Sequence, residues 1–333
     1  GRRGVRRDTK HQRLLLRRPR GAEKGEVTRS AANDVYVHSV ALMDTVVTIE
    51  VVGGDDAGRD GMVARAIGWF REIETRCSRF DPASEVSALA ARVGEPVPVS
   101  PMLFEVARFA LALAAETDGA FDPTIGAVQA ARGFDIDWRT GATIKSHSSP
   151  EYRAANSEHP SFHDVVLGPD SRTLTLARPL VLDLGAVAKG FAIDLAAREL
   201  GAYRDFMIDA GGDVYAAGTN RHGEPWAVGV RHPRDAKALV DVVRVSDAAV
   251  CTSGDYERRV PGDSGGEHHI LDPRTGRSPR DVASVTVIAP TAMLADGLST
   301  AAFVLGADAG LRLLEAHGVR GIVITSSLAR LTT

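Results

Sequence analysis

Two cysteines in 333 residues leave little scope for disulfide architecture or for a cysteine-bound metal. Cys77 and Cys251 stand far apart and no C-x-x-C occurs, so a structural zinc site is excluded unless other residues complete it. The sequence reads both as half-buried thiols. Net charge is also lacking: the formal value of -3 argues against an overall nucleic-acid footprint, so no nucleic-acid partner is expected. No apolar run approaches the roughly 20 residues of a membrane-spanning helix. Val46–Val52 is typical of the longest apolar stretches, strand-sized and broken by polar residues. Neither G-x-x-x-x-G-K-[ST] nor G-x-G-x-x-G is present, which removes the Walker loop and the dinucleotide fingerprint.

What remains is an ordinary globular composition, 44% hydrophobic and 25% charged, long enough for one large domain or two smaller ones. Basic charge crowds the start, with Arg2, Arg3, Arg6, Arg7, Arg17, Arg18 and Arg20. Leu14–Leu16 is too short for a signal-peptide core. Residues 1–34 are therefore expected to be a disordered basic tail and residues 35–328 the folded domain. The cytoplasm is the default location. The chain starts with Gly1 rather than methionine, so an export signal upstream stays open.

The element pattern is mixed. Met43–Val52 is rich in β-branched residues and predicts a strand. Val63, Ile67, Phe70, Ile73 and Cys77 recur at helical spacing. Ser100-Pro101 predicts a helix start with serine as N-cap, running to about Thr117. Residues 131–163 predict a long loop. Short strands are expected at Val165–Leu167 and Thr173–Leu176, a helix at Val187–Leu200, and short strands from Phe206 to Ile288. Helices are expected at Thr291–Leu305 and Leu311–His317, then a strand at Gly321–Thr325. Without regular βαβ alternation, the order favours an α+β fold.

Six strings could carry chemistry. Gly119-Ala120-Phe121-Asp122-Pro123-Thr124 follows a helix and is alone a plain turn. Asp183-Leu184-Gly185-Ala186-Val187-Ala188-Lys189-Gly190 places an acid at a strand end before small residues that open a helix. Such a turn presents backbone N–H groups to an anion, though a structural strand-to-helix turn fits as well. Asp209-Ala210-Gly211-Gly212-Asp213 reads plainly as a tight hairpin with solvated carboxylates. Thr252-Ser253-Gly254-Asp255-Tyr256 follows a strand. In His268-His269-Ile270-Leu271-Asp272-Pro273, a histidine near a turn is either a general base or a turn-stabilising group. Last, Asp296 and Thr300 lie four apart on one helical face, where carboxylate and hydroxyl suit a hard cation such as Mg2+. Acids on helices usually face solvent, but Leu294, Leu298, Ala301 and Leu305 make this helix largely apolar.

In this order the strings resemble the ApbE family, the FAD:protein FMN transferases. The resemblance runs from about Val35 to Thr325 through MDT, SRFDPASEVSAL, GAFDPTIG, DLGAVAKGFAID, DAGGD, TSGDYERR, HILDPRTG and ADGLSTAAFVLG. It implies an α+β, T-fold-like duplication with mostly antiparallel sheets and flanking helices. It implies magnesium-dependent transfer of the FMN half of FAD to a Thr or Ser hydroxyl, releasing AMP. Met43, Phe80, Ala120, Phe121, Asp122, Asp183, Lys189 and Ile270 would line the FAD site. The backbone carbonyl of Ala186 and the side chains of Asp296 and Thr300 would hold Mg2+. His269 would be the base, with Asp296 also essential to catalysis. Phe80 departs from the family pattern, where a tyrosine is common.

The implied partner is an acceptor flavoprotein bearing D-x-x-[ST]-G-A-[ST], and a membrane-associated redox partner is in keeping with the family. Relatives are commonly exported or lipid-anchored, which sets export or membrane association beside the cytoplasmic default. This chain itself carries Asp137-Trp138-Arg139-Thr140-Gly141-Ala142-Thr143. That makes Thr143 a candidate for self-flavinylation, against chance in a chain rich in Gly, Ala and Thr. The alternatives are an FAD pyrophosphatase, with water replacing the acceptor hydroxyl, and a non-catalytic FAD-binding protein.

Overall fold

Runs of valine and isoleucine make the first long strands. In the computed structural model, which describes residues 26–30, 35–53, 56–134, 160–257 and 267–333, β2 (Val35–Leu42) and β3 (Thr45–Val52) pair from Val35↔Val52 to Leu42↔Thr45. Met43 and Asp44 form the two-residue turn, both at positive φ (50° and 60°). Left-handed turn residues match the twist of a hairpin. The predicted strand Met43–Val52 therefore starts two residues late, and Met43 sits at a hairpin tip.

A strand β1 (Glu26–Ser30) pairs with β2, from Glu26↔Ser39 to Ser30↔Val35. This corrects the reading of residues 1–34 as wholly disordered, because the exposed edge of β2 recruits five of them into the sheet. The arginine-rich residues before Glu26 lie outside the described residues.

The remaining elements follow as α1 (Asp56–Cys77), α2 (Glu85–Leu89), β4 (Val97–Pro98), α3 (Pro101–Glu116), α4 (Gly126–Ala131), β5 (Val165–Gly168), β6 (Thr173–Leu176) and α5 (Gly185–Glu199). Then come β7 (Phe206–Ala210), β8 (Asp213–Ala217), β9 (Trp226–His232), β10 (Asp235–Val245), β11 (Ala248–Gly254) and β12 (Val282–Ala289). The chain closes with α6 (Ala292–Leu305), α7 (Ala307–Ala316), β13 (Arg320–Thr325) and β14 (Arg330–Thr332). Helix α7 starts four residues earlier than predicted. Two helix starts follow their capping chemistry: Ser100 accepts from Leu103 N, and Thr291 accepts from Leu294 N.

Among the described residues, nine strands form one antiparallel sheet, ordered β1-β2-β3-β7-β8-β11-β12-β13-β14. Helix α5 packs between α1 and α6, α6 lies on β11 and β12, and α7 lies on β13. The opposite face is covered by the β9–β10 ribbon, whose Trp226, Val230, Val243 and Val245 meet Val214, Val250, Ile288 and Ile322. All eight residues of β12 are buried, as a strand covered on both faces requires. Among the described residues, no helix is long and apolar enough to cross a membrane.

Candidate active site

Helices α5 and α6 touch backbone to backbone because Gly190 has no side chain. A Cβ there would lie 2.4 Å from Ala292 O and 2.6 Å from Met293 Cα. The close crossing brings Asp194 of α5 to the start of α6, where it accepts from Ala292 N (2.7 Å) and Met293 N (3.0 Å). One turn deeper, Gly190 N donates to Asp296 Oδ2 at 3.3 Å. In an α-helix that N–H belongs to the carbonyl four residues back, which is Ala186. Asp296 therefore sits at the Ala186–Gly190 turn, and Thr300 lies one turn further along the same face of α6.

Asp296 is buried, 6% exposed, not solvent-facing as acids on helices usually are. Thr300 is half-buried. Lys189 pairs with Asp213 Oδ2, and Asp213 Oδ1 accepts from Thr252 N at 3.0 Å. Asp213 is 3% exposed, which corrects the reading of the DAGGD acids as solvated. The string does form the β7–β8 hairpin, with Gly211 at φ 71° and Gly212 at φ 99°. Gly211 also backs onto the neighbouring hairpin, since a Cβ there would lie 2.0 Å from Thr45 Oγ1. This contact sets the Met43 turn beside the acids.

The electrostatics follow from burial. Asp296 is pushed up to about 8 by desolvation, with Lys189 opposing and Asp213 adding to the rise. Burial would lower the Lys189 ammonium, but Asp213 and Asp296 together hold it above its ordinary value. Burial also raises Asp209, whose Oδ1 accepts from Gly212 N at 2.8 Å. Three acids thus share one lysine.

A second cluster adjoins the first through Asp183. Its Oδ1 accepts from Gly185 N and its Oδ2 from Arg79 Nε, each at 2.8 Å. Arg79 also donates Nη2 to Phe134 O at 2.6 Å and stacks 4.1 Å above the Phe80 ring. Asp183 N donates to Pro123 O at 2.7 Å, which ties the GAFDPT turn to the start of α5. In that turn Ala120 and Phe121 are buried. Asp122 accepts from Thr124 N, Thr124 Oγ1 and Phe162 N, and burial raises its carboxyl. Asp122 thus holds the turn's shape.

The two histidines divide. His268 is buried, donates its N–H to Ser278 Oγ (2.9 Å), lies edge-on to Phe303 and sets Nε2 3.2 Å from Pro279 O. These contacts make it structural. His269 is half-buried, its carbonyl is fixed by Gln129 Nε2 at 3.2 Å, and Ile270 beside it is buried. Thr143 and the acceptor-like string around it lie outside the described residues.

Arg79, Asp213 and Ser253 belong to the site although sequence reasoning gave them no role. All three sit inside the matched strings, but their partners are on other elements. A groove of about 450 Å³ on the ribbon side is lined by Asp241, Arg244, Ile288, Arg320, Ile322 and Arg330. It contains none of the site residues described above.

One antiparallel sheet with a helix-covered face, and acids, a lysine and hydroxyls gathered at its glycine turns, define an α+β protein with a buried polar site. The chain belongs to the ApbE family, whose family model matches residues 43–323. It is 31% identical over 262 residues to a FAD:protein FMN transferase of Haemophilus influenzae, covering 75% of this chain and 74% of that protein. The crystal structure of the ApbE protein of Thermotoga maritima superposes with a TM-score of 0.79 at 30% identity, covering 90% of this chain and 97% of that one. The flavin transferase ApbE of Vibrio cholerae gives 0.75 at 26% identity, covering 93% and 97%.

Proposed function

We propose that this chain is an FAD:protein FMN transferase, moving the FMN half of FAD to a Thr or Ser hydroxyl of an acceptor protein and releasing AMP. The observation that carries the reading is the convergence of Lys189, Asp213, Asp296 and Thr300 at the α5–α6 crossing, one turn from the Asp183 cluster.

The residues fit Mg2+. The Ala186 carbonyl, Asp296 carboxylate and Thr300 hydroxyl are all oxygen donors, the set a hard cation prefers. Burial raises Asp296 and Asp213 adds to the rise, so a cation bound there would favour the charged carboxylate. Among the described residues no three His, Cys, Asp or Glu gather as a metal site, so a cation here would keep several waters. When bound, Mg2+ would neutralise charge on the pyrophosphate and on the leaving phosphate.

The protein's own residues do the rest. Lys189, held by Asp213, presents a fixed positive charge to the pyrophosphate. Arg79, Phe80, Asp183 and the Ala120–Asp122 turn shape the flavin end, with Met43 and Ile270 beside it. His269 takes the proton of the acceptor hydroxyl as its oxygen attacks the FMN phosphorus. The bond from that phosphorus to the bridging oxygen breaks, and AMP leaves with the electron pair. The acceptor is a protein with a D-x-x-[ST]-G-A-[ST] segment.

The test is incubation with FAD, Mg2+ and a peptide bearing that segment, read by mass spectrometry. An FMN adduct on the peptide and stoichiometric AMP are expected. FMN and AMP without adduct would make the chain a pyrophosphatase, and intact FAD would make it a flavin-binding protein. Asp296→Ala should lower transfer on the order of 10²-fold or more while leaving the fold intact; near-normal transfer would sink the metal assignment.

A further inference from the structure

Three hydroxyls form a chain beside the proposed cation site. Ser299 Oγ lies 2.9 Å from Asp296 O, Ser253 Oγ lies 2.8 Å from Ser299 Oγ, and Ser253 Oγ lies 3.0 Å from Thr300 Oγ1. Ser253 and Ser299 are both buried. Each hydroxyl has a single hydrogen to donate, and a carbonyl oxygen only accepts, so the direction of every bond is fixed. Ser299 donates to Asp296 O. At the next contact Ser299 must accept and Ser253 must donate. With its hydrogen spent, Ser253 must accept from Thr300. The Thr300 hydrogen therefore points at Ser253, and the Thr300 Oγ1 lone pairs are left for a cation.

We propose that Ser253 and Ser299 are positioning residues that set the polarity of the Thr300 hydroxyl, so that it meets a divalent cation as an acceptor. This rests on the reading of Asp296 and Thr300 as cation ligands. The requirement is chemical: a hydroxyl that turned its hydrogen toward the site would repel a cation. The relay ends on the carbonyl of Asp296, so the same chain of bonds also braces the turn that carries the carboxylate. Ser253 comes from β11 and Ser299 from α6, so the sheet itself enforces the orientation.

Loss of a group that orients a metal ligand typically weakens metal affinity 10- to 100-fold. The test is Mn2+ titration of the full chain followed by EPR, which reads binding without turnover. Ser253→Ala should weaken Mn2+ binding at least about tenfold. Ser299→Ala should weaken it too, because Ser253 is then released to donate to Thr300 and reverse the relay. Thr286→Val removes a buried hydroxyl on the adjoining strand, bonded to Thr252 at 2.8 Å and outside the relay, and should bind Mn2+ as the wild type does. Far-UV CD and melting curves identify any variant that fails to fold, and either serine variant alone carries the test. If Asp296→Ala loses Mn2+ but both serine variants bind as wild type, the relay is wrong and the metal reading stands. If the wild type has no saturable site, or Asp296→Ala binds normally, the metal reading itself is overturned.

Discussion

Arg79 commits its guanidinium to three partners at once: the Asp183 carboxylate, the Phe134 carbonyl and the face of Phe80. Only a planar fork of donors can do this, and lysine, a point charge on a flexible stem, cannot. Its side chain is 9% exposed, so its removal would also leave Asp183 without that charge partner in a mostly dry place. Arg79→Ala is expected to raise the KM for FAD about tenfold or more, with a smaller change in kcat, and Arg79→Lys should recover little of it. Steady-state transfer kinetics at varied FAD would show this; an unchanged KM would remove Arg79 from the flavin site. The same residue shows what sequence reading misses. Its three partners lie on separate segments, and no local spacing reports them.

At the scale of elements, the α5–α6 crossing governs the site. Replacing Gly190 by alanine would favour the helix by about 1 kcal/mol. Against that stands a methyl group pressed into the backbone of Ala292 and Met293, which cannot rotate aside. Overpacking of this kind costs about 1–3 kcal/mol or more, so the clash wins. Gly190→Ala should be destabilised in urea titrations and should lose transfer activity as Lys189 and Asp296 move apart. The same crossing gives a pH signature. Burial pushes Asp194 up to about 6, despite its two N–H donors from α6. An acid raised on folding contributes stability that is full below its unfolded value near 4 and is lost as pH rises through 6. Asp194→Asn cannot ionise, so its stability relative to wild type should increase by on the order of 2 kcal/mol between pH 4 and pH 7.5. Urea midpoints across that range measure it; parallel curves would contradict the raised carboxyl.

For the molecule as a whole, the sheet separates two jobs. The helix-covered face carries the acids, lysine and hydroxyls, and the ribbon-covered face is a second apolar core. Trp226 anchors that core, 5% exposed, with its Nε1 donating to Ala217 O at 2.9 Å. Trp226→Ala should cost about 3–5 kcal/mol while leaving kcat/KM for transfer nearly unchanged at 10 °C, where the variant stays folded. Denaturation and low-temperature kinetics together check this; a large loss of kcat/KM in folded protein would show that the two faces are coupled.

Periodicity and capping were enough to place most helices and strands: the α1 stripe from Val63 to Cys77 and the Ser100 cap both act within one or two turns of chain. That Asp296 and Thr300 share one helical face was legible for the same reason, since four residues along a helix fix one face. The family resemblance followed from the order of the strings. Three-dimensional contact alone decided the rest. Glu26–Ser30 is a strand by pairing along the edge of β2, a contact that no local spacing reports. Asp213 is buried against Lys189, and Ser253 reaches Thr300, because β8, β11, α5 and α6 meet at backbone distance. Local forces write themselves into neighbouring residues. Burial, ion pairing and the direction of a hydroxyl relay depend on groups that only the folded sheet brings together.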